Sequence, residues 1–329
     1  MNLLNRLHAA GGYALRVPNT PKGPYRMVVE ISNSCNLKCG FCLRTTDMKR
    51  PVHFMEPSFF EKLLQQEGHR LEHVGLNGFG EPLLHPRLAE FVEIAHRHGV
   101  GVSISTNCTL LTEERARPIL MAGIDHVTLA IDGIRAEQYE AVRIGARFDR
   151  VIENARRFLE LRREIGKKTF AIIQCIAMVQ NKEDLRRIHA FWQGSGADAI
   201  RIRQLTHTGN ECGDDQFDNG RGPCYWLWAE PMLLADGRLV ACCQDVNGEL
   251  PLGHAGDVPL DALWSGSEAR RLRTLHATGR RHEISACRTC NMYQPSRAVA
   301  LASSVLDTNH LNRAVPAVET AMSWLRYGG

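Results

Sequence analysis

The sequence predicts an α/β fold: a parallel sheet wrapped by helices, followed by a smaller unit built from a β-hairpin and short helices. Six short apolar runs alternate with amphipathic stretches, which is typical of parallel strands joined by right-handed helical crossovers. The run AIIQCIAMV at 171–179 is almost continuously apolar, as expected of a strand buried on both faces. The length of 329 residues suits about two domains, or one large barrel with an appendage.

The candidate strands begin near residue 26 and recur through the first two thirds of the chain. They are 27–31, 73–76, 101–105, 126–131, 170–178 and 199–205. Among the helices between them, one carries a capping-box pattern formed by Ser58 and Glu61, and Thr112 is placed to cap another. Residues 151–165 have apolar side chains at helical spacing, which predicts an amphipathic helix.

The alternation stops at residues 206–223, a polar and glycine-rich stretch that we interpret as a linker or lid. Asp236-Gly237 then predicts a hairpin turn, and residues 260–275 and 296–327 have helical patterns. We therefore expect five segments. They are a lead-in at 1–25, a barrel at 26–205, a linker at 206–220, a small unit at 221–292 and a helical tail at 293–329.

The composition argues against several classes of protein. The net charge of +4 comes from dispersed basic residues, so it gives no case for nucleic acid or an anionic membrane. The chain has no apolar run of about 20 residues and no signal-peptide pattern. The 11 cysteines are an odd number without a secretion signal, which argues against a disulfide framework. Most of them fall in tight groups, as metal ligands do, and we expect a reducing cytoplasm.

The first cysteine group directly follows a candidate strand. Cys35, Cys39 and Cys42 have the spacing C-x3-C-x2-C, so three thiolates converge in one short loop. A cubane iron–sulfur cluster normally takes four cysteine ligands, and three would leave one iron open to a small molecule. The alternative is a three-cysteine zinc site, which needs a fourth ligand, and the loop contains no histidine.

Several further motifs make residues 26–205 resemble the radical S-adenosylmethionine (SAM) superfamily. Phe41 stands in the aromatic position before the last cysteine. NGFGEP at 77–82 resembles the GGEP motif of that family, although Phe79 replaces its second glycine. The remaining markers are TN at 106–107, AIDG at 130–133 and VRIG at 142–145.

The resemblance implies a partial (β/α)6 TIM-like barrel with a [4Fe–4S] cluster on Cys35, Cys39 and Cys42. SAM would chelate the open iron, and one electron would cleave it to methionine and a 5′-deoxyadenosyl radical that abstracts a substrate hydrogen. The residues implied in SAM binding are Phe41, Gly78, Gly80, Glu81, Ser105, Asn107, Asp132 and Arg143.

Each of these residues has an expected role and a simpler alternative. The two glycines would let the backbone approach SAM, and Glu81 would pair with its ammonium group. Ser105, Asn107 and Asp132 would bind ribose hydroxyls or the methionyl group, and Arg143 would bind the carboxylate. The alternatives are a plain glycine turn, a solvated glutamate, capping of strand ends and a surface salt bridge.

The second cysteine group comprises Cys224, Cys242, Cys287 and Cys290. From spacing alone, four thiolates fit structural zinc and an iron–sulfur cluster about equally. Residues 221–292 resemble an abbreviated auxiliary-cluster domain of the SPASM/Twitch kind, which implies one auxiliary [4Fe–4S] cluster ligated by all four. Cys243 is the alternative to Cys242.

The resemblance favours a radical SAM oxidoreductase acting on a small polar substrate such as an aminocyclitol or sugar. The domain plan is similar to that of the 2-deoxy-scyllo-inosamine dehydrogenases, in which the auxiliary cluster would accept one electron. An external one-electron donor such as flavodoxin or ferredoxin is implied. Arg201 and Arg203 alternate on the sixth strand and would contact substrate if they face the lumen, or be structural if they do not.

Three other functions remain open at this stage. An epimerase would need a thiol hydrogen donor, for which Cys243 and Cys212 are candidates. A peptide maturase would need a leader-binding element, and the approximately 25 residues before the barrel are too few for such a domain, although a separate partner could supply it. A zinc-binding structural protein is disfavoured by the SAM-site motifs. Tyr225, Trp226 and Trp228 are expected to shield the auxiliary cluster.

Overall fold

The computed structural model describes residues 2–20, 23–166, 168–206, 222–288, 290–292 and 294–327. Its strands are β1 (Arg26–Val29), β2 (His73–Gly75), β3 (Gly101–Thr106), β4 (His126–Ala130), β5 (Phe170–Ala177), β6 (Ala199–Gln204), β7 (Met232–Leu233), β8 (Arg238–Val240) and β9 (Pro251–His254). The first six match the predicted strands to within two residues at each end.

Fourteen α-helices lie in the described ranges. They are α1 (Asn2–Leu15), α2 (Leu43–Thr46), α3 (Pro57–Glu67), α4 (Leu88–Arg97), α5 (Glu113–Met121), α6 (Ala136–Val142), α7 (Phe148–Ile165), α8 (Leu185–Trp192), α9 (Trp226–Ala229), α10 (Leu260–Trp264), α11 (Ser267–Ala277), α12 (Ser285–Arg288), α13 (Arg297–Ser303) and α14 (Thr308–Tyr327).

The strands form one sheet in the order β6-β5-β4-β3-β2-β1-β7-β8-β9. Strands β1 to β6 are all parallel to their neighbours, as in a partial TIM barrel, with helices joining consecutive strands. β7 continues the sheet parallel to β1, and β8 and β9 then add antiparallel strands. The auxiliary hairpin is therefore a direct extension of the barrel sheet, which the sequence does not reveal.

Two predicted helix starts differ from the structure in their capping. α3 begins at Pro57, with Glu56 as the N-cap residue. Ser58 lies inside the first turn, so the capping box with Glu61 is wrong; proline is favoured at this position because its missing N–H needs no partner. Thr112 is the N-cap residue of α5 as predicted, but its side chain makes no capping hydrogen bond.

The two faces of the barrel sheet differ in chemistry. One face carries apolar side chains such as Ile104 and Val127, which are buried with helix residues including Phe158. Residues that are paired across neighbouring strands have their side chains on the same face of the sheet. The register of β3, β4, β5 and β6 therefore shows which side chains lie on the opposite, concave face. Its polar members above the barrel floor are Ser103, Ser105, Thr128, Gln174 and Arg201.

The terminal segments pack against the rest of the chain. α1 contacts α9 and α13, and Trp228 Nε1 donates to the Val17 carbonyl at 2.7 Å. α14 lies along the free edge of β6, where the Ile200 N–H donates to Thr320 Oγ1 at 3.2 Å. The helix thus covers a strand edge that would otherwise be open to pairing. Within the described residues, no helix is both long and apolar enough to cross a membrane.

Candidate functional site

The three thiols of the first group lie in the loop between β1 and α2. Cys39 is buried, whereas Cys35 and Cys42 are half-buried. Burial raises the pKa of the Cys35 and Cys39 thiols, and Arg143 partly opposes this at Cys39. Buried thiols of this kind are poor nucleophiles without further activation, and a metal that binds them displaces their protons.

The thiol spacing argues against a single metal ion. Among the described residues, no three His, Cys, Asp or Glu side chains lie close enough to share one. Thiolates on one zinc ion would converge to about 4 Å from each other, given its short tetrahedral bonds. Three free thiols in one short loop match the ligand number of a cubane cluster that keeps one iron open, so the residues present fit such a cluster.

Two glycines allow neighbouring segments to pack against this loop. A Cβ on Gly80 would lie 2.1 Å from the Ser32 carbonyl oxygen, so a side chain has no room there. The adjacent Glu81 N–H donates to the Ser34 carbonyl at 2.8 Å. Gly145 has a φ of 98° and lies against Leu37. In the structure, the space beside Gly80 is occupied by the backbone carbonyl groups of Ser32 and Ser34 in the cluster loop.

Glu81 is buried, and its carboxylate is occupied by protein donors. One oxygen accepts from the Leu83 N–H at 3.1 Å and from Thr106 Oγ1 at 2.8 Å. The other accepts from the Asn107 N–H at 2.8 Å. Burial raises the pKa of this carboxyl. Glu81 is therefore not solvated, and its carboxylate positions the backbone of Asn107.

Asn107 lies directly beside the first thiol. Its Nδ2 is 3.9 Å from Cys35 Sγ and donates to Asn36 Oδ1 at 3.1 Å. The next residue, Cys108, is buried and has a φ of 63°, which is unusual for a residue other than glycine. The backbone after β3 is thus turned sharply where it meets the cluster loop.

Asp132 and Arg143, predicted separately as SAM-binding residues, form a buried ion pair with each other. Arg143 Nε and Nη2 lie 2.7 Å and 2.6 Å from Asp132 Oδ2, and the Ile176 N–H donates to Oδ1 at 2.8 Å. The guanidinium also stacks over the Phe41 ring at 5.2 Å. The surface salt bridge considered from sequence is wrong, since both residues are almost fully buried.

Ser105 and Gly78 occupy different surroundings. Ser105 is half-buried on the concave face, and its N–H donates to Asn77 Oδ1 at 2.7 Å. A Cβ on Gly78 would lie 2.8 Å from Glu30, so this glycine permits close packing against a buried carboxylate. Binding of SAM by these two residues stays a prediction.

Sequence reasoning missed the Glu30–Arg50 ion pair, which links both cysteine groups. Arg50 donates to both Glu30 oxygens at 2.8 Å and 2.9 Å, and its Nε donates to the Val246 carbonyl at 2.6 Å. Glu30 also accepts from the N–H groups of Phe79 and Ala235. The one available signal was a glutamate at the end of an apolar strand, where burial would require a partner.

The second thiol group lines a cavity in the C-terminal unit. Cys224, Cys242, Cys287 and Cys290 all face it. Burial, together with Cys242 and Cys290, raises the pKa of Cys224, and burial with the same two thiols raises the pKa of Cys287 to about 12. Four converging sulfur donors fit a fully ligated cluster.

The adjacent Cys243 also lines this cavity, but it contacts a second apolar cluster. Its side chain packs with Met232, Leu234 and Val240 next to Val28 and Phe79 of the barrel. Cys242, by contrast, packs with Cys224 and Cys287 in the core of the C-terminal unit. The placement favours Cys242 as the ligand, and the ligand set stays a prediction. Cys212 lies outside the described residues.

Arg201 and Arg203 lie on the concave face of β6. Arg201 donates to Gln174 Oε1 at 2.9 Å and to Glu319 of α14 at 3.2 Å. Arg203 pairs with the same Glu319 carboxylate at 3.3 Å. Burial lowers the pKa of Arg201 to about 10. Both guanidinium groups are therefore held by the C-terminal helix, and contact with substrate stays a prediction.

Two family models match the segments that carry the thiol groups. The radical SAM superfamily model matches residues 29–189, and the model of the SPASM iron–sulfur cluster-binding domain matches residues 224–291. The predicted boundaries enclose both matches.

Curated relatives match part of the chain. The tungsten-containing aldehyde ferredoxin oxidoreductase cofactor-modifying protein of Pyrococcus furiosus is 27% identical over 183 residues, which is 54% of this chain and 51% of that protein. Mycofactocin maturase MftC of Mycolicibacterium smegmatis is 30% identical over 196 residues, which is 60% of this chain and 48% of MftC. The chain thus spans about half the length of these curated relatives.

Solved structures match more of the chain at lower identity. BtrN, in complex with AdoMet and 2-DOIA, has a TM-score of 0.57 and 18% identity, covering 82% of this chain and 93% of BtrN. SuiB of Streptococcus suis, bound to precursor peptide SuiA, has a TM-score of 0.64 and 16% identity, covering 87% of this chain and 71% of SuiB. At these identities the likeness shows the fold.

Proposed function

Because the chain belongs to the radical SAM superfamily and carries a SPASM domain, we propose that it oxidises a small polar substrate, such as an aminocyclitol or sugar, by two electrons. The substrate would lose a hydrogen atom at the SAM site, and then one electron through the auxiliary site and one proton. For a carbon bearing a hydroxyl group, those losses give a ketone or an aldehyde.

The cofactors supply the difficult chemistry, and the protein positions them. When bound, the [4Fe–4S] cluster and SAM provide a 5′-deoxyadenosyl radical that removes a hydrogen atom. Cys35, Cys39 and Cys42 would hold this cluster, while Asn107 and the Asp132–Arg143 pair shape the surface beside it. Phe41 stacks on the guanidinium of Arg143.

The observation that carries this proposal is the convergence of four thiols in the auxiliary site. Cys224, Cys242, Cys287 and Cys290 line one cavity, which leaves an iron cubane without an open position for substrate. Such a site suits electron transfer. Cys243, next to Cys242, packs against Val28 and Phe79, so the ligand hairpin is in contact with the SAM-site segment of the barrel.

The concave face supports a polar substrate. Ser103, Ser105 and Gln174 are half-buried there, and Thr128 lies in the same row of side chains. Hydroxyl and amide groups can each donate and accept hydrogen bonds, as a polyhydroxylated ring requires. BtrN, which covers a similar length, was solved with AdoMet and 2-DOIA bound.

Peptide modification is the second candidate, and two of the comparisons support it. SuiB was solved bound to its precursor peptide SuiA, and another relative is the PqqA peptide cyclase of Gluconobacter oxydans. A peptide substrate would need to reach the same concave face. Epimerisation is the third candidate, with Cys243 returning a hydrogen atom.

Product analysis in heavy water separates the three candidates. Reconstituted enzyme is incubated anaerobically with SAM, a reductant and a panel of aminocyclitols and sugars. We expect a carbonyl product, one 5′-deoxyadenosine per product, and unchanged chemistry in Cys243→Ala. The matched control is Cys175→Ala, a buried cysteine far from both thiol groups in sequence.

Two results would contradict oxidation of a small substrate. Deuterium at an inverted carbon, lost in Cys243→Ala but kept in Cys175→Ala, would establish the epimerase. Turnover of a precursor peptide, with no product from any small polar compound in the panel, would establish the maturase.

A further inference from the structure

His276 of α11 lies beside the first auxiliary thiol and has a defined tautomer. Its side chain is 3% exposed, and its Nδ1 lies 3.1 Å from the Cys224 backbone nitrogen. A backbone N–H can only donate, so Nδ1 is the acceptor. Because an accepting Nδ1 carries no proton, the ring is the neutral tautomer with its single proton on Nε2.

The Nε2–H group of His276 is buried and has no hydrogen-bond acceptor among the described residues. The ring nevertheless lines the cavity that holds the four auxiliary thiols. Trp226 lines the same cavity, and its buried Nε1–H, which can only donate, also lacks an acceptor in the described part of the chain.

Two unpaired donors in one cavity are unfavourable unless something in the cavity accepts from them. A buried polar group without a partner loses its hydrogen bonds to water and gains none in return. Neighbouring tryptophans show the contrast: Trp228 Nε1, two residues further on, donates to the Val17 carbonyl at 2.7 Å. The acceptor for His276 and Trp226 therefore belongs to the group that fills the cavity.

We propose that His276 Nε2–H and Trp226 Nε1–H donate hydrogen bonds to sulfur atoms of the auxiliary cluster and so raise its reduction potential. The inference rests on the proposed function, because it requires a [4Fe–4S] cluster on these thiols. Reduction adds negative charge to the cluster, and donors aimed at its sulfurs stabilise the reduced form more than the oxidised form.

Backbone donors already follow this pattern in the same site. The Gln244 N–H is 3.3 Å from Cys242 Sγ, and the Met292 N–H is 3.4 Å from Cys290 Sγ. The side-chain donors would add two more, from α9 and α11. A site with four N–H donors is suited to receiving an electron from a substrate radical.

The potential is measured on the full chain with Cys35, Cys39 and Cys42 replaced by alanine, so that only the auxiliary cluster is present. This parent is reconstituted anaerobically with iron and sulfide and titrated with dithionite while the reduced cluster is followed by EPR. The test variants are His276→Phe and Trp226→Phe. Trp228→Phe is the matched control, and His276→Gln retains a side-chain donor and an acceptor for Cys224.

We expect His276→Phe and Trp226→Phe each to lower the ratio of reduced to oxidised cluster at a fixed potential about tenfold, a shift of about 59 mV for a one-electron couple. Trp228→Phe should not shift it, and His276→Gln should lie nearer the parent than His276→Phe does. Pulsed EPR should show exchangeable protons coupled to the reduced cluster. Each test variant should lose the signal of the proton that its own side chain supplies.

Unchanged potentials in His276→Gln, His276→Phe and Trp226→Phe, with about four irons bound in each, would overturn this assignment alone. Failure of the parent to bind any iron would overturn the proposed function and this assignment together.

Discussion

The guanidinium group of Arg143 lies within 2.6 Å of the Asp132 carboxylate in the interior of the barrel. Asp132 follows β4 and also accepts from the Ile176 N–H of β5, while Arg143 stacks on Phe41 between two of the cluster thiols. One ion pair therefore joins two barrel strands to the loop that carries the first thiol group. The cluster loop is thus held in position by this buried ion pair as well as by apolar packing.

Asp132→Asn should weaken both the fold and the SAM site. The substitution keeps the shape but leaves Arg143 buried without its counter-ion, which costs about 3–5 kcal/mol in comparable pairs. We expect that loss in urea unfolding of the reconstituted protein, together with weaker SAM binding. Arg147→Lys, at a largely exposed arginine of the next turn, is the control and should change neither. Equal stability of Asp132→Asn and the parent would show that the pair does not hold the loop.

Gly80→Ala should abolish the first cluster and spare the second. The new Cβ would lie 2.1 Å from the Ser32 carbonyl oxygen, so the cluster loop has to move. Gly40→Ala is the matched control in the same loop, because no atom lies within 4 Å of a Cβ there. Iron content should fall by about half in the first variant and stay unchanged in the second. Full iron content in Gly80→Ala would contradict the tight packing of these two segments.

Glu30→Gln should disturb both thiol groups at once. Glu30 binds Arg50 through both oxygens, and that arginine also donates to Val246 in the auxiliary hairpin. Breaking a buried pair from one side costs about 3–5 kcal/mol, whereas replacing both partners by apolar residues is often neutral. We expect Glu30→Gln to be less stable than the double variant Glu30→Leu/Arg50→Met in urea unfolding. If the losses of unfolding free energy in Glu30→Leu and in Arg50→Met added up to the loss in the double variant, the pair would not be coupled.

We expect the free energy of unfolding to decrease in mildly acidic solution, in part because of His126. Burial lowers the pKa of His126 to about 4, while Asp125 opposes this and Arg313 adds to it. Below the ordinary histidine pKa of about 6.5, the unfolded chain binds a proton that the folded chain does not, so folding weakens as the pH falls toward 4. Relative to His126→Phe, the parent should lose about 2 kcal/mol between pH 7.5 and 5. If the difference in unfolding free energy between the two proteins did not change with pH, His126 would bind a proton as readily in the folded chain as in the unfolded chain.

The sequence predicted the barrel strands because each is a short apolar run bounded by helical periodicity. Phe170–Ala177, for example, was evident as a strand buried on both faces. It also predicted the first thiol group, since cysteine spacing in a loop is a local property, whereas the second group was predicted from the resemblance to an auxiliary-cluster domain. The hairpin turn was evident from Asp236-Gly237, and Gly237 has a φ of 88° there.

The relations between distant segments could not be predicted from one sequence. Nothing local marks β7 as a partner of β1, or α14 as the cover of the β6 edge. The same limit applies to side-chain partners: nothing in the sequence marks Asp132 and Arg143 as partners in an ion pair. Ser58 was misjudged because Pro57 starts α3 without a capping side chain.

The most direct test of a SAM-binding cluster on the first three thiols is iron content together with 5′-deoxyadenosine formation in Cys35→Ala/Cys39→Ala/Cys42→Ala. The parent should bind about eight irons and cleave SAM, and the variant should keep about four irons and form no 5′-deoxyadenosine. A variant that still cleaves SAM, or a parent that binds zinc at these thiols, would contradict that assignment.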